Sequence, residues 1–196
     1  MGFELTGQNW SIDEFKDYLS DVDLSWANSV TVHHTASPNL KNRPNGWQER
    51  HLKNLQHYYE KQLGWSAGPH LFTDEKKIWG LSSLYRRGVH AVSFNKDSLS
   101  IEMLGNYDLE SPHIGRGHNV IELTAKTVAL ILQKMDNEAS NETIKFHRDD
   151  PKTNKSCPGN LLEKKVFVSL VKSYMSNTNL TIEQRLTLIE KKLGMI

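Results

Sequence analysis

Two hydrophobic periods alternate along the chain. Val30 and Val32 fall on one side of the segment 29–34, and Thr31 and His33 on the other. That period of two predicts a strand. It returns in 98–104, where Leu99, Ile101 and Met103 oppose Ser98, Ser100 and Glu102, and more briefly where Ile144 and Phe146 alternate with Lys145 and His147. Residues 70–80 predict a hairpin turning around Asp74 and Glu75. Spacings of three and four predict the helices. Over 11–22, Ser11 caps, Glu14 completes a capping box, and Phe15 and Leu19 share a face. Over 47–63, Leu52, Leu55, Tyr59 and Leu63 align and Gly64 ends the run. Two further helices are expected over 121–135, with Ala125, Val128, Leu132 and Met135 aligned, and over 160–175, with Leu162, Val166, Leu170 and Tyr174 aligned.

A polar hinge at 176–179 follows. Beyond it Ile182, Leu186, Ile189 and Leu193 repeat at heptad spacing. This predicts a short C-terminal amphipathic helix over 181–193, which docks on its own domain or makes a homo-oligomer. Strands and helices interleave, so the expected fold is α/β: a single domain with a central mixed β-sheet flanked by helices. The expected division is a main domain over 1–175 and a C-terminal helical segment over 176–196.

Composition narrows the function by exclusion. A chain of 196 residues, 37% of them hydrophobic, suits one domain with a real core. Its 24 basic and 23 acidic residues leave a net charge of +1, which makes no electrostatic case for nucleic acid or an anionic membrane as partner. No apolar run approaches the ~18 residues of a membrane span. The N-terminal stretch is polar and acidic, without the apolar core of a secretory signal, so cytoplasmic synthesis without a signal peptide is expected. A single cysteine, Cys157, excludes an internal disulfide framework and leaves a buried thiol, a ligand or a nucleophile.

The candidate chemistry gathers around 144–159, IKFHRDDPKTNKSCPG. His147 at a strand end and Cys157 in the following loop can converge on one ion. Zinc takes such nitrogen and sulfur donors, and a catalytic zinc holds three protein ligands plus water. A third ligand must come from elsewhere, and His33 or His34 is the best candidate. Adjacent strand residues face opposite ways, so normally one of the two points into the site. The competing chemistry is a Cys157 nucleophile with a histidine base. Glu102 is a carboxylate in an otherwise apolar or small strand. It is either a solvent-facing residue of an edge strand or, beside a metal, a general base. Lys155 is a solvated loop lysine or, two residues from a metal thiolate, an oxyanion stabiliser.

Five segments carry a family resemblance: VHHTA at 32–36, GWSAGPHLF at 64–72, GVHA at 88–91, SLSIEMLGNYD at 98–108 and FHRDDPKTNKSCPG at 146–159. In these, over roughly residues 10–175, the chain resembles the zinc-dependent N-acetylmuramoyl-L-alanine amidases of the type 2 family. That family includes phage lysis amidases, bacterial recycling amidases and animal peptidoglycan recognition proteins, and the chain looks most like the phage-endolysin branch. The resemblance implies a Zn2+ cofactor held by His33, His147 and Cys157, with Glu102 as catalytic glutamate and Lys155 on the scissile carbonyl. It implies His90 and Asn95 in the substrate groove, and Trp65 is a candidate to stack on sugar or peptide. The implied partner is peptidoglycan, and the implied bond is the amide between the muramic acid lactyl group and L-alanine. Some phage members carry a catalytic tyrosine where this chain has Pro69. Three functions follow from it: an active lysin reaching the cell wall after release or delivery, a non-catalytic peptidoglycan-binding protein of the same fold, or a delivered antibacterial effector with the same chemistry.

Overall fold

Both strand periods and the main helical ones materialise. A computed structural model of the protein describes residues 2–178, and the helix expected over 181–193 lies outside them. Six strands, β1 (Asn9–Trp10), β2 (Ser29–His34), β3 (Leu71–Thr73), β4 (Ile78–Gly80), β5 (Ser98–Met103) and β6 (Ile144–Phe146), form one sheet in the order β1-β4-β3-β5-β2-β6. β3, β5, β2 and β6 pair in parallel, while β4 runs antiparallel to β1 and β3. The sheet is therefore mixed, as the interleaving of elements implies.

The helices are α1 (Ile12–Ser20), α2 (Glu49–His57), α3 (Gly115–Lys134) and α4 (Lys164–Thr178). The capping box at Ser11 and Glu14 is formed, and Phe15 and Leu19 are the buried residues of α1. The segment expected as one helix over 47–63 is α2 followed by a π-helical turn, Tyr58–Gln62. α3 starts six residues before the expected Ile121, because its N-cap is Ile114 and no side chain caps it. α4 starts at Lys164 rather than 160, since 160–163 are still turning away from the loop that carries Cys157. β1 was not foreseen: two residues are too few to show a period, and they hold their place by pairing with β4.

Alternation assigns the two faces of the sheet. Leu99, Ile101 and Met103 of β5, with Val30 and Val32 of β2, are fully buried. They lie on the face that α3 covers, where Thr73 and Thr124 share a hydroxyl hydrogen bond of 2.7 Å. Burying such aliphatic side chains contributes roughly 1.5–3 kcal/mol each. The opposite face carries Thr31, His33, Ser98, Ser100 and Glu102, which the parallel register brings together: Thr31 lies beside Ser100 and His33 beside Glu102. Phe72 shares that face, and Trp47, just before α2, packs edge-on against it at 5.3 Å. β5 lies between β3 and β2. Glu102 is thus on an interior strand, and the solvent-facing edge position is ruled out.

Candidate active site

The site grows from the carboxyl ends of the parallel strands, where open α/β sheets leave room for ligands. His33 ends the site-facing row of β2 and is 2% exposed. β6 pairs with β2 as far as Val32 and Phe146, and the chain then tightens into a 3-10 turn that begins at His147. The result is His33 Nδ1 at 3.1 Å from His147 Nδ1. Cys157 Sγ, from the loop after β6, lies 3.7 Å from His33 Nδ1. All three donor atoms fall within 4.8 Å of one another, the one such group among the described residues that combines histidine and cysteine donors in this way. His34 points to the other side of its strand, where its Nδ1 accepts the Tyr107 N–H at 3.1 Å.

Hydrogen bonding fixes which nitrogen of His33 is free. His90 Nε2 lies 3.0 Å from the Ser98 carbonyl, an acceptor only, so it carries the proton. His90 Nδ1 then accepts, and its partner at 3.2 Å is His33 Nε2, which must donate. His33 Nδ1 is left as a bare lone pair aimed at His147 and Cys157. Outer partners of this kind orient a metal-ligating imidazole and select its tautomer. The two separations that His33 makes fit a tetrahedral ion: bonds of about 2.0–2.3 Å place nitrogen donors roughly 3.3 Å apart and a nitrogen and a sulfur roughly 3.6 Å apart. The donor set therefore suits zinc.

Glu102 Oε1 is 3.8 Å from His33 Nδ1, and the side chain is 15% exposed. Burial pushes its pKa up to about 8, against a weaker opposing pull from the Lys155 ammonium. Burial, reinforced by neighbouring His90, His147 and Lys155, pushes His33 well below the usual imidazole range, so the ring is neutral. The close approach of His33 and Glu102 is accordingly not an ion pair. Burial, with the Glu102 carboxylate, also pushes the Cys157 thiol up. A nucleophilic cysteine needs the opposite environment. Cys157 also sits seven residues before α4 rather than at its N-terminus. A cation at the donor cluster would instead stabilise the thiolate.

The three donors open into a cleft of about 660 Å³ whose walls include Glu102, Lys155, His90, Trp65 and Tyr59. Trp65 stacks on Tyr59 with ring centroids 5.4 Å apart and planes 10° from parallel. Asn95 does not line the cleft. Its Oδ1 accepts the backbone N–H groups of His90 and Ala91, at 2.8 and 2.9 Å, and so shapes the loop that presents His90. Tyr59 was hidden in the sequence inside a helical apolar stripe. The π-helical turn brings it to the cleft, and Gly68 makes room for its ring: a Cβ at Gly68 would stand 2.8 Å from Tyr59 Cδ2. Pro69 lies in the same wall.

A family model described as N-acetylmuramoyl-L-alanine amidase matches residues 25–160. The chain belongs to the type 2 N-acetylmuramoyl-L-alanine amidase family. The solved structures similar to this amidase domain include an endolysin amidase, LysCS, from Clostridium intestinale (21% identity, 74% of this chain and 84% of that one, TM-score 0.56). A mutant endolysin from Bacillus subtilis is similar to the same degree (21% identity, 74% and 86%, TM-score 0.56). The Drosophila protein PGRP-LB covers more of the chain at lower identity (16%, 83% and 86%, TM-score 0.57). At these identities the likeness is one of fold. No curated protein matches the chain. Among the described residues, no helix is long and apolar enough to cross a membrane.

Proposed function

We propose that the chain hydrolyses the amide between the muramic acid lactyl group and L-alanine in bacterial peptidoglycan, with zinc held by His33, His147 and Cys157. The observation that carries this reading is the convergence of two neutral imidazoles and a thiol, their donor atoms within 4.8 Å of one another, on a cleft that also holds a carboxyl group and an ammonium group. Zinc bound there supplies Lewis acidity, which makes hydroxide available near neutral pH and polarises the carbonyl.

The remaining work falls to side chains. Glu102, with its pKa raised to about 8, is suited to take a proton from the attacking water and return it to the departing amine. Lys155 offers a fixed positive charge to the tetrahedral oxyanion. His90 holds the tautomer of His33, Asn95 holds the loop of His90, and the stacked Trp65 and Tyr59 form an aromatic wall for sugar or peptide. Residues 1–175 are the catalytic domain in this reading, and 176–196 a docking or oligomerisation segment. The endolysin neighbours support a phage or prophage lysin that meets the cell wall after release or delivery.

The test is the zinc content of the purified protein together with release of stem peptide from sacculi. One zinc per chain with peptide release is expected. A metal-free protein with full activity would refute the mechanism, and a protein that binds sacculi without cutting them would establish the non-catalytic alternative.

A further inference from the structure

The sulfur of Cys157 is carried on a loop without regular structure, yet its place is set by a dense set of contacts from a second loop, and Asp108 stands at their centre. Asp108 Oδ2 accepts the Ser156 hydroxyl at 2.6 Å, one residue before the cysteine. Asp108 Oδ1 accepts the Asn160 N–H at 2.8 Å, three residues after it. One carboxylate therefore spans the loop on both sides of Cys157. The same group approaches His34 Nε2 at 3.9 Å. The backbone N–H of His34 in turn points at Cys157 Sγ at 3.4 Å.

Two further contacts interlock the same pair of loops. The Leu161 N–H donates to the Tyr107 carbonyl at 2.9 Å. Gly159 takes a φ of +107°, and a Cβ there would stand 2.3 Å from the Tyr107 carbonyl carbon, so the backbones touch at a point where no side chain fits. From the opposite side Arg148 donates to the carbonyls of Ser156, Gly159 and Leu162, at 3.3, 2.7 and 2.8 Å. Of the two charged groups gripping the loop, Arg148 lies next in sequence to His147. Asp108 lies in a separate segment and ties the loop to the end of β5.

We propose that Asp108 is a positioning residue for the Cys157 sulfur, fixing it against His33 and His147 by bracing the loop at Ser156 and Asn160. The inference rests on the reading of Cys157 as a zinc ligand. Its role is geometric. Removing the brace lets the loop carry the sulfur away from the two imidazoles while leaving all three donors in the chain.

The test compares wild type, Asp108→Ala, Asp108→Asn and Ser156→Ala by zinc dissociation constant and, after cobalt substitution, by the sulfur-to-cobalt charge-transfer absorption. Asn keeps the shape without the charge: its oxygen can still accept the Asn160 N–H, and its NH2 can donate to the Ser156 hydroxyl once that hydroxyl turns. Loss of an outer partner typically loosens a metal about 10–100-fold. Asp108→Ala is expected to fall in that range with a weakened charge-transfer band, Asp108→Asn to stay within a few-fold of wild type, and Ser156→Ala to lie between. Rescue by Asn separates positioning from a charge effect, and Ser156→Ala keeps the inference testable if Asp108→Ala does not fold. Zinc affinity and cobalt spectrum unchanged in Asp108→Ala, or in Ser156→Ala where Asp108→Ala fails to fold, would overturn the inference alone. A wild type whose cobalt form shows no sulfur band would overturn the ligand reading and this inference with it.

Discussion

His70 offers a quantitative test of the electrostatics beneath the site. It is fully buried, and both ring nitrogens are committed in the neutral form. Nε2–H donates to the Arg86 carbonyl at 3.0 Å. Nδ1 accepts the Ser100 backbone N–H at 3.0 Å. A second proton on Nδ1 would face the Ser100 N–H in a fully buried site. Burial holds its pKa down at about 4, against the usual 6.5, with the Arg86 carbonyl opposing. Between those values the unfolded chain binds a proton that the folded chain does not, so stability falls as pH drops from 6.5 toward 4. At about 1.36 kcal/mol per pH unit the full loss is about 3 kcal/mol, of which about 2 kcal/mol has gone by about pH 5. The assay is urea unfolding of wild type and His70→Asn at about pH 7.5 and about pH 5, at equal zinc. Asn keeps an acceptor for Ser100 and does not titrate. The other buried histidines are common to both proteins and cancel in the difference. Wild type should lose about 2 kcal/mol more than the variant. Parallel losses in the two proteins would refute the reasoning.

Other outcomes follow from the site and its supports. Cys157→Ser should weaken zinc by more than ~100-fold, because a neutral hydroxyl replaces a thiolate, while binding to sacculi persists; a variant retaining tight, stoichiometric zinc would remove the cysteine from the ligand set. Glu102→Gln and Lys155→Ala should keep their zinc and lose about 10²–10³ in turnover, read by peptide release from sacculi. Gly88→Ala should cost about 1–3 kcal/mol in denaturant unfolding, since its Cβ would stand 2.5 Å from the Gly68 carbonyl oxygen and 2.7 Å from His70 Cε1. Truncation after Met175, followed by light scattering, should convert any oligomer to monomer; a full-length chain that is already monomeric assigns the C-terminal segment to docking.

Strands announced themselves wherever both faces had distinct neighbours. Ser98, Ser100 and Glu102 alternate with Leu99, Ile101 and Met103 because one face of β5 meets the cleft and the other meets α3. The donors His33, His147 and Cys157 were legible as residue types and spacings. Their convergence was not, since it depends on β2 lying between β5 and β6, a strand order that no local pattern encodes. Tyr59 was masked by its own helical spacing, and only the switch to a π turn carries it to the cleft. Asp108 left no signal because its partners, Ser156 and Asn160, lie some fifty residues away and are ordinary loop residues. The start of α3 was missed because it opens on Gly115 and Gly117 with no capping side chain.

The strand order has a consequence for when the donor set can come together. β2 is made early and β6 late, yet they are neighbours, and the donor set spans residues 33 to 157. A nascent chain that has not yet reached Cys157 carries at most the two imidazoles, without the sulfur. On the proposed reading, chains terminated before Cys157 are therefore inert by topology, and the donor set is completed in one step when that residue is added.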